Sequence, residues 1–335
     1  MLAWPPALPY VTAMASNQQI TPLAAGTVPP ALPLAMILAL GSLWGLAFSF
    51  SKMATIGGVH PVSYTFWQGL GAGIVVAAIC RLRGLRIPTG RAYLGYYAII
   101  GLVGIAVPNV NLVAAIAHLP AGVMVLTIPF VPLMTYAIAI FLKMERFSPL
   151  RFAGVLCGLA GVALIVLPKA SLPDANAAPW FLMALLTPAF YAATNVLAAR
   201  LRPPDSRSAP LAAGMLLAAA ALLAPVVWWL DVLYLPALPV DEAEIGIVGQ
   251  IVVSSVAYLI FFEVLRLAGP VFMSFTGYIV TLTGIGWGVL LFGERHSPWV
   301  WGAAALIFTG LALVNLRRSG ALATAGSGRP AGPTG

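Results

Sequence analysis

The polar side chains set inside long apolar stretches are the residues of this sequence best placed to do chemistry. Gln68, Asn109 and Asn111, Thr127, Thr194 and Asn195, then Gln250, Ser254, Ser255 and Tyr258, and finally Thr276, Tyr278, Thr281 and Thr283 all have aliphatic neighbours. An amide or hydroxyl taken out of water loses free energy unless it finds a hydrogen-bond partner. The chemistry on offer is therefore neutral hydrogen bonding, either to a small solute or between neighbouring helices. Any one of these groups is accounted for by a helix–helix bond or by a bond to its own backbone. Trp44, Phe48, Tyr191 and Trp287 add aromatic faces that could wall a pocket for a mostly apolar molecule, or simply pack.

Ionisable residues are scarce in these stretches. Glu263 is the exception, and Arg266 one turn on reads as its i,i+3 partner at a boundary. Glu145 and Glu294 each precede Ser-Pro, which predicts a cap on the helix that follows. Lys52 is expected to snorkel toward water. His60, His118 and His296 fall in short connections with no zinc spacing, and Cys80 and Cys157 form no CxxC pair. No H-E-x-x-H or paired-carboxylate pattern appears, so neither catalytic residues nor metal nor cofactor is expected. An intramembrane enzyme acting on lipid or prenyl substrates, the alternative function, would need such a cluster at one membrane face.

Backbone breakers supply the other signal. Pro129 and Pro132 fall well inside one apolar stretch and free carbonyls there, while Gly284, Gly286 and Gly288 give another a thin, bendable face. These four positions, Pro129, Pro132, Gly284 and Gly286, are the gating candidates. Gly154-x-x-x-Gly158 reads as a close-packing face, and Gly69-x-Gly71-x-Gly73 follows no strand and ends in no Lys-Ser/Thr, so it is no nucleotide loop.

The elements that must position these residues are membrane helices. Of 335 residues, 61% are hydrophobic and only 8% charged, against roughly 25% charged in an average soluble protein. Windows of about 20 apolar residues occur near 34–54, 62–80, 93–116, 120–142, 150–168, 179–199, 209–230, 244–265, 269–292 and 299–316. With both termini placed in the cytoplasm, fourteen of the 17 Lys and Arg residues fall inside and only Lys52, Lys169 and Arg295 outside. Losing or adding one span would destroy that asymmetry. The basic excess thus orients helices, and nucleic acid is not an expected partner. Residues 1–33 carry no Lys or Arg and seven prolines, which predicts a disordered leader and not a secretory signal. A disordered tail is expected over 317–335.

A repeat organises the whole. Glu145-Arg146-Phe147-Ser148-Pro149 returns 149 residues later as Glu294-Arg295-His296-Ser297-Pro298, and Gly161, Ala163 and Leu164 then fall on Gly310, Ala312 and Leu313. Two five-helix units, 34–168 and 179–316, follow. Five is odd, so the second unit enters the membrane from the opposite side. The expected fold is an all-α polytopic membrane protein, with ten transmembrane helices as two inverted five-helix repeats. That architecture is common among secondary transporters, whose substrate sites lie at the seam.

Ser42-Leu43-Trp44-Gly45, Leu119-Pro120-Ala121-Gly122 running through Pro129 to Glu145, and Leu267-Ala268-Gly269-Pro270 running through Phe292-Gly293-Glu294 to Gly310-Leu311-Ala312 resemble the drug/metabolite transporter superfamily, in particular its EamA-domain families. The resemblance covers about residues 34–316 and implies a central cavity between helices 3, 4, 8 and 9. It further implies an inner-membrane exporter or exchanger of small organic metabolites, amino-acid-like ones first. Many relatives carry an Arg in helix 2, seven residues after a Pro; here Pro61 leads to Gln68, and a glutamine offers only neutral bonds. The binding candidates are Trp44, Gln68, Asn109, Thr127, Tyr191, Asn195, Tyr258, Tyr278 and Thr281. The expected partners are a small-molecule substrate, membrane lipid and a second copy of the chain.

Overall fold

The computed structural model describes residues 31–141, 147–166, 177–204, 206–273 and 276–325, and everything regular among them is helical. In chain order these helices are α1 (Ala31–Ile56), α2 (Pro61–Leu82), α3 (Arg91–Ile116), α4 in two pieces (α4a, Ala121–Val125, and α4b, Phe130–Phe141) and α5 (Pro149–Val166). The second half holds α6 in two pieces (α6a, Ala177–Ala184, and α6b, Leu186–Leu201), α7 (Ser208–Trp229), α8 (Glu242–Met273), α9 (Thr276–Phe292) and α10 (Pro298–Ala325). Seven of them are long and apolar enough to cross a membrane: α1, α2, α3, α4, α6, α7 and α8. The other three windows hold shorter apolar helices, Phe152–Ile165, Thr276–Phe292 and Pro298–Leu313.

Local chemistry explains the starts and breaks. At α2, Pro61 occupies the first helical position, where its missing N–H is no loss, and His60 Nδ1 accepts from the Val62 N–H at 3.3 Å. In α3, Pro108 cannot donate and its ring crowds the carbonyl four residues back. The helix widens into a π-turn over Leu102–Ala106 just before it. In α4 the missing N–H of Pro129 coincides with the turn that parts α4a from α4b. α8 departs from expectation, continuing through Gly269-Pro270 to Met273, where the ninth helix was expected to begin. A proline removes one hydrogen bond without forbidding a helix, and α7 likewise carries Pro225 inside it. α1 starts at Ala31 and α10 runs on to Ala325, both beyond their windows. The rest of the expected leader and tail, and Glu145 and Lys169, lie outside the described residues.

The helices pack mainly between the halves. α1 lies against α8 and α9, and correspondingly α6 lies against α3 and α4. α2 pairs with α8 as α7 pairs with α3, while α2–α7, α4a–α9 and α5–α10 join like with like. Exchanging each helix with the one five places on leaves this pattern unchanged, as a two-fold relation between repeats requires. At α5–α10 each matched glycine of the repeat packs against the partner helix. A Cβ on Gly161 would stand 2.6 Å from Ile307, and one on Gly310 would collide with the Gly154 carbonyl oxygen, so only hydrogen fits at either place. The largest cluster of buried side chains accordingly runs from Phe48 and Tyr64 through Leu126 and Phe181 to Val280 and Ile307.

Candidate functional site

A cavity of about 590 Å³ lies at the seam, walled by both halves. α1 contributes Trp44, Phe48 and Ser51, α2 Gln68, α3 Tyr96 and Asn109, α6b Tyr191 and Thr194, and α8 Gln250, Ser254, Tyr258 and Phe261. The cavity extends to Arg202 and Ser208 at one end of the bundle. That end carries the α2–α3 and α6–α7 loops with Arg83, Arg86, Arg202 and Arg207, and is called the basic end below. Arg202 is the one charged residue in the cavity's described lining.

Across the cavity floor a ladder of neutral groups links four helices and both repeats. The Tyr191 hydroxyl donates to Asn109 Oδ1 at 2.6 Å, and Asn109 Nδ2 donates to Gln68 Oε1 at 3.4 Å. Gln68 Nε2 donates in turn to Ser254 Oγ at 3.4 Å, as does Gln250 Nε2 at 3.1 Å. The first bond is short and strong. The two at Gln68 are at the long limit for a hydrogen bond, so its amide is weakly held and can turn to a bound solute. Apolar faces complete the walls, with Trp44 and Phe261 ring centroids 5.8 Å apart. Such a site suits a small organic molecule with an apolar body and a few neutral polar groups.

The opposite end is shut by two sets of contacts. Glu294, in the α9–α10 turn, accepts from the N–H of Ala121 at 2.6 Å and of Gly122 at 2.9 Å, capping the first turn of α4a, while His296 Nε2 lies 3.3 Å from the same carboxylate. This corrects the expected role: Glu294 caps a helix of the other repeat and not its own successor. Pro298 opens that successor without an N–H to offer, whereas Ala121 and Gly122 have two. Lys52 is half-buried at this end, and its Nζ donates to the carbonyls of Ile116 at 2.8 Å and Ala117 at 3.2 Å, closing the C-terminus of α3. Tight packing completes the seal, since a Cβ on Gly284 of α9 would stand 2.6 Å from the Val125 side chain of α4a. On the other flank, Trp67 Nε1 donates to the Tyr234 carbonyl at 2.8 Å, and the Tyr234 hydroxyl donates to Glu244 at 2.5 Å. That bond, first among the causes, pushes the Tyr234 phenol up to about 12.

Of the nine binding candidates, Trp44, Gln68, Asn109, Tyr191 and Tyr258 line the cavity. Thr127 and Thr281 do not. Both are fully buried, and their hydroxyls bond carbonyls of their own helices, Met124 at 2.8 Å and Gly277 at 2.9 Å. Tyr278 is also absent from the lining and stacks on Phe308, centroids 5.7 Å apart. The side chains of Asn195, Glu263 and Arg266 lie outside the described residues. Among the gating candidates, Pro129 sits buried at the α4 break, Pro132 is half-buried in α4b, and Gly284 touches α4a. Gly286 faces open space, with nothing within 4 Å of where a Cβ would stand, and makes no such approach. The binding set omitted Gln250 and Ser254, although their spacing with Tyr258 (i, i+4, i+8) puts all three on one helical face. It also missed the π-turn of α3, for which Pro108 was the signal. Among the described residues no group of three or more His, Cys, Asp or Glu could hold a metal ion.

The pattern of the EamA-like transporter family matches residues 31–167 and 178–316, one copy to each half of the chain. A solved structure described only as "Crystal structure of protein" is similar in fold, with a TM-score of 0.58 at 22% identity over 87% of this chain and 99% of that one. No curated protein matches.

Proposed function

This chain belongs to the EamA-like transporter family, and from that premise we propose that it is a secondary transporter of small organic metabolites. It works by alternating access between two inverted repeats, each contributing five of ten membrane crossings. The reading places the protein in the cell's inner membrane, both termini cytoplasmic, as an exporter or exchanger. One observation carries the proposal: a cavity at the seam of the two repeats that reaches the basic end and is sealed at the other. In a two-fold arrangement, exchanging the conformations of the halves turns this state into its opposite, sealed at the basic end and open at the far one. The two states are then close in energy by construction. The ladder from Tyr191 to Gln250 offers both donors and acceptors, which supports amino-acid-like solutes as the first class to try.

The test is counterflow in liposomes holding the purified protein, with a panel of labelled amino acids and other small metabolites. Saturable exchange of one chemical class is expected. Uptake indistinguishable from protein-free liposomes across the whole panel, with the protein folded, would end the proposal.

A further inference from the structure

A second cavity, of about 300 Å³, opens at the basic end between the α2–α3 loop and the start of α7. Arg86 enters it from the first repeat and Arg207 from the second, and no carboxylate stands in its described lining. Arg202 holds the lining residue Ser206 from outside the cavity: its Nε donates to Ser206 Oγ at 3.1 Å, and its Nη2 donates to the Ser206 carbonyl at 3.0 Å and to Ser208 Oγ at 3.3 Å. Because Ser206 Oγ accepts from that guanidinium, its proton is left to give to an acceptor. The first turn of α7, which has no side-chain cap, lines the same space through Pro210 and Leu211. Two exposed arginines, a hydroxyl donor and the positive end of a 22-residue helix therefore line one space.

The repeat shows what is missing. Exchanging the halves carries the α2–α3 loop onto the α7–α8 loop at the far end. There Glu244, the third residue of α8, accepts from the Tyr234 hydroxyl and from the N–H groups of Ala237 at 3.0 Å and Asp241 at 3.1 Å. Asp241 in turn caps the Ala243 N–H at 2.7 Å. At the basic end the third residue of α3 is Tyr93, which donates to the Pro204 carbonyl at 3.3 Å, and the cap position is Gly90, with no side chain to contribute. One loop brings its own carboxylates. Its counterpart, the α2–α3 loop, brings Arg86 to the cavity and no acidic residue.

We propose that the cavity between the α2–α3 loop and α7, lined by Arg86 and Arg207, binds a phosphate-bearing anion. Planar guanidiniums from two sides match a phosphate's oxygens, and the bound group ties one loop of each repeat together beside the mouth of the central cavity. The anion is either the headgroup of an acidic phospholipid or phosphate from solution, and the site makes no use of the transported solute. The test uses the purified full chain in neutral detergent, with binding read by native mass spectrometry and thermal shift. The probes are dioctanoyl phosphatidylglycerol, its phosphatidylcholine counterpart and inorganic phosphate.

Saturable binding of the acidic lipid and not the zwitterionic one is expected, weakened about fivefold by Arg86→Gln or Arg207→Gln and about twenty-five-fold by both. Arg81→Gln with Arg83→Gln, which changes the same net charge outside the cavity, should leave it unaltered. Inorganic phosphate binding with the same dependence on Arg86 and Arg207 assigns the site to soluble phosphate; phosphate silence assigns it to the lipid headgroup. Binding of neither probe, or equal losses in the two double variants, overturns the proposal. Should a glutamine variant unfold, Arg86→Lys with Arg207→Lys keeps the charge and must still bind, more weakly, for the proposal to stand.

Discussion

Glu294→Gln should release the far end of the bundle. The carboxylate accepts two backbone N–H groups at 2.6 and 2.9 Å, and its side chain is only 10% exposed. Glutamine turns one of those oxygens into an NH2 group facing an N–H, so one bond is lost and the other is no longer charge-assisted. Hydrogen bonds to charged groups contribute about 1.5–3 kcal/mol and neutral ones about 1 kcal/mol. The sealed state therefore loses about 3 kcal/mol, which moves a two-state equilibrium on the order of a hundredfold toward the state open at the far end. Sidedness of thiol labelling reads this directly. Ala47 lines the cavity from the middle of α1, and Ala47→Cys, with Cys80 and Cys157 replaced by Ala, gives one reactive site. In sealed vesicles an impermeant maleimide should label it readily from the basic face in both proteins. From the far face, labelling should be on the order of a hundredfold faster in Glu294→Gln. Unchanged sidedness in a variant that stays folded would refute the reasoning and leave Glu294 a structural cap alone.

Three further outcomes follow from the same geometry. Gln68→Leu should raise KM about tenfold while abundance stays near wild type, because the amide's two bonds within the protein are long and weak; equal losses in transport and abundance would make Gln68 a packing residue. Pro129→Ala should mend the α4 break and slow transport several-fold more than it lowers abundance, measured as initial rate per folded molecule. A reporter fused after Arg83 should read cytoplasmic and one after Glu242 periplasmic; the same side for both would end the ten-crossing arrangement.

The parts legible in the sequence are those whose causes are local or periodic. Apolar windows set out ten segments, and each holds a helix, seven of them long and apolar enough to cross a membrane. The glycines that the E-R-x-S-P repeat aligned, Gly161 and Gly310, both lie in the α5–α10 contact, one against Ile307 and the other against Gly154. What Glu294 does was not legible, because its two N–H partners lie 173 and 172 residues away along the chain. Capping rules look only to the next few residues. The site shows the same division. Gln68, Asn109 and Tyr191 have side chains long enough to reach across a seam, and they form the ladder. Thr127 and Thr281 have short hydroxyls that bond a carbonyl three or four residues back in the same helix, so polarity at depth alone overstated their role.

The reach of Glu294 also constrains how the protein is made. Synthesis runs from the N-terminus, so the first five helices emerge while the carboxylate that caps α4a, and the helices against which α1, α2 and α5 mainly pack, do not yet exist. The first half must therefore wait in the bilayer with its fourth helix unfinished. Contacts so distant along the chain form late and slowly. A ribosome that stalls before α9 should leave a product with no stable fold of its own, one that membrane quality control can recognise by the open end of α4a.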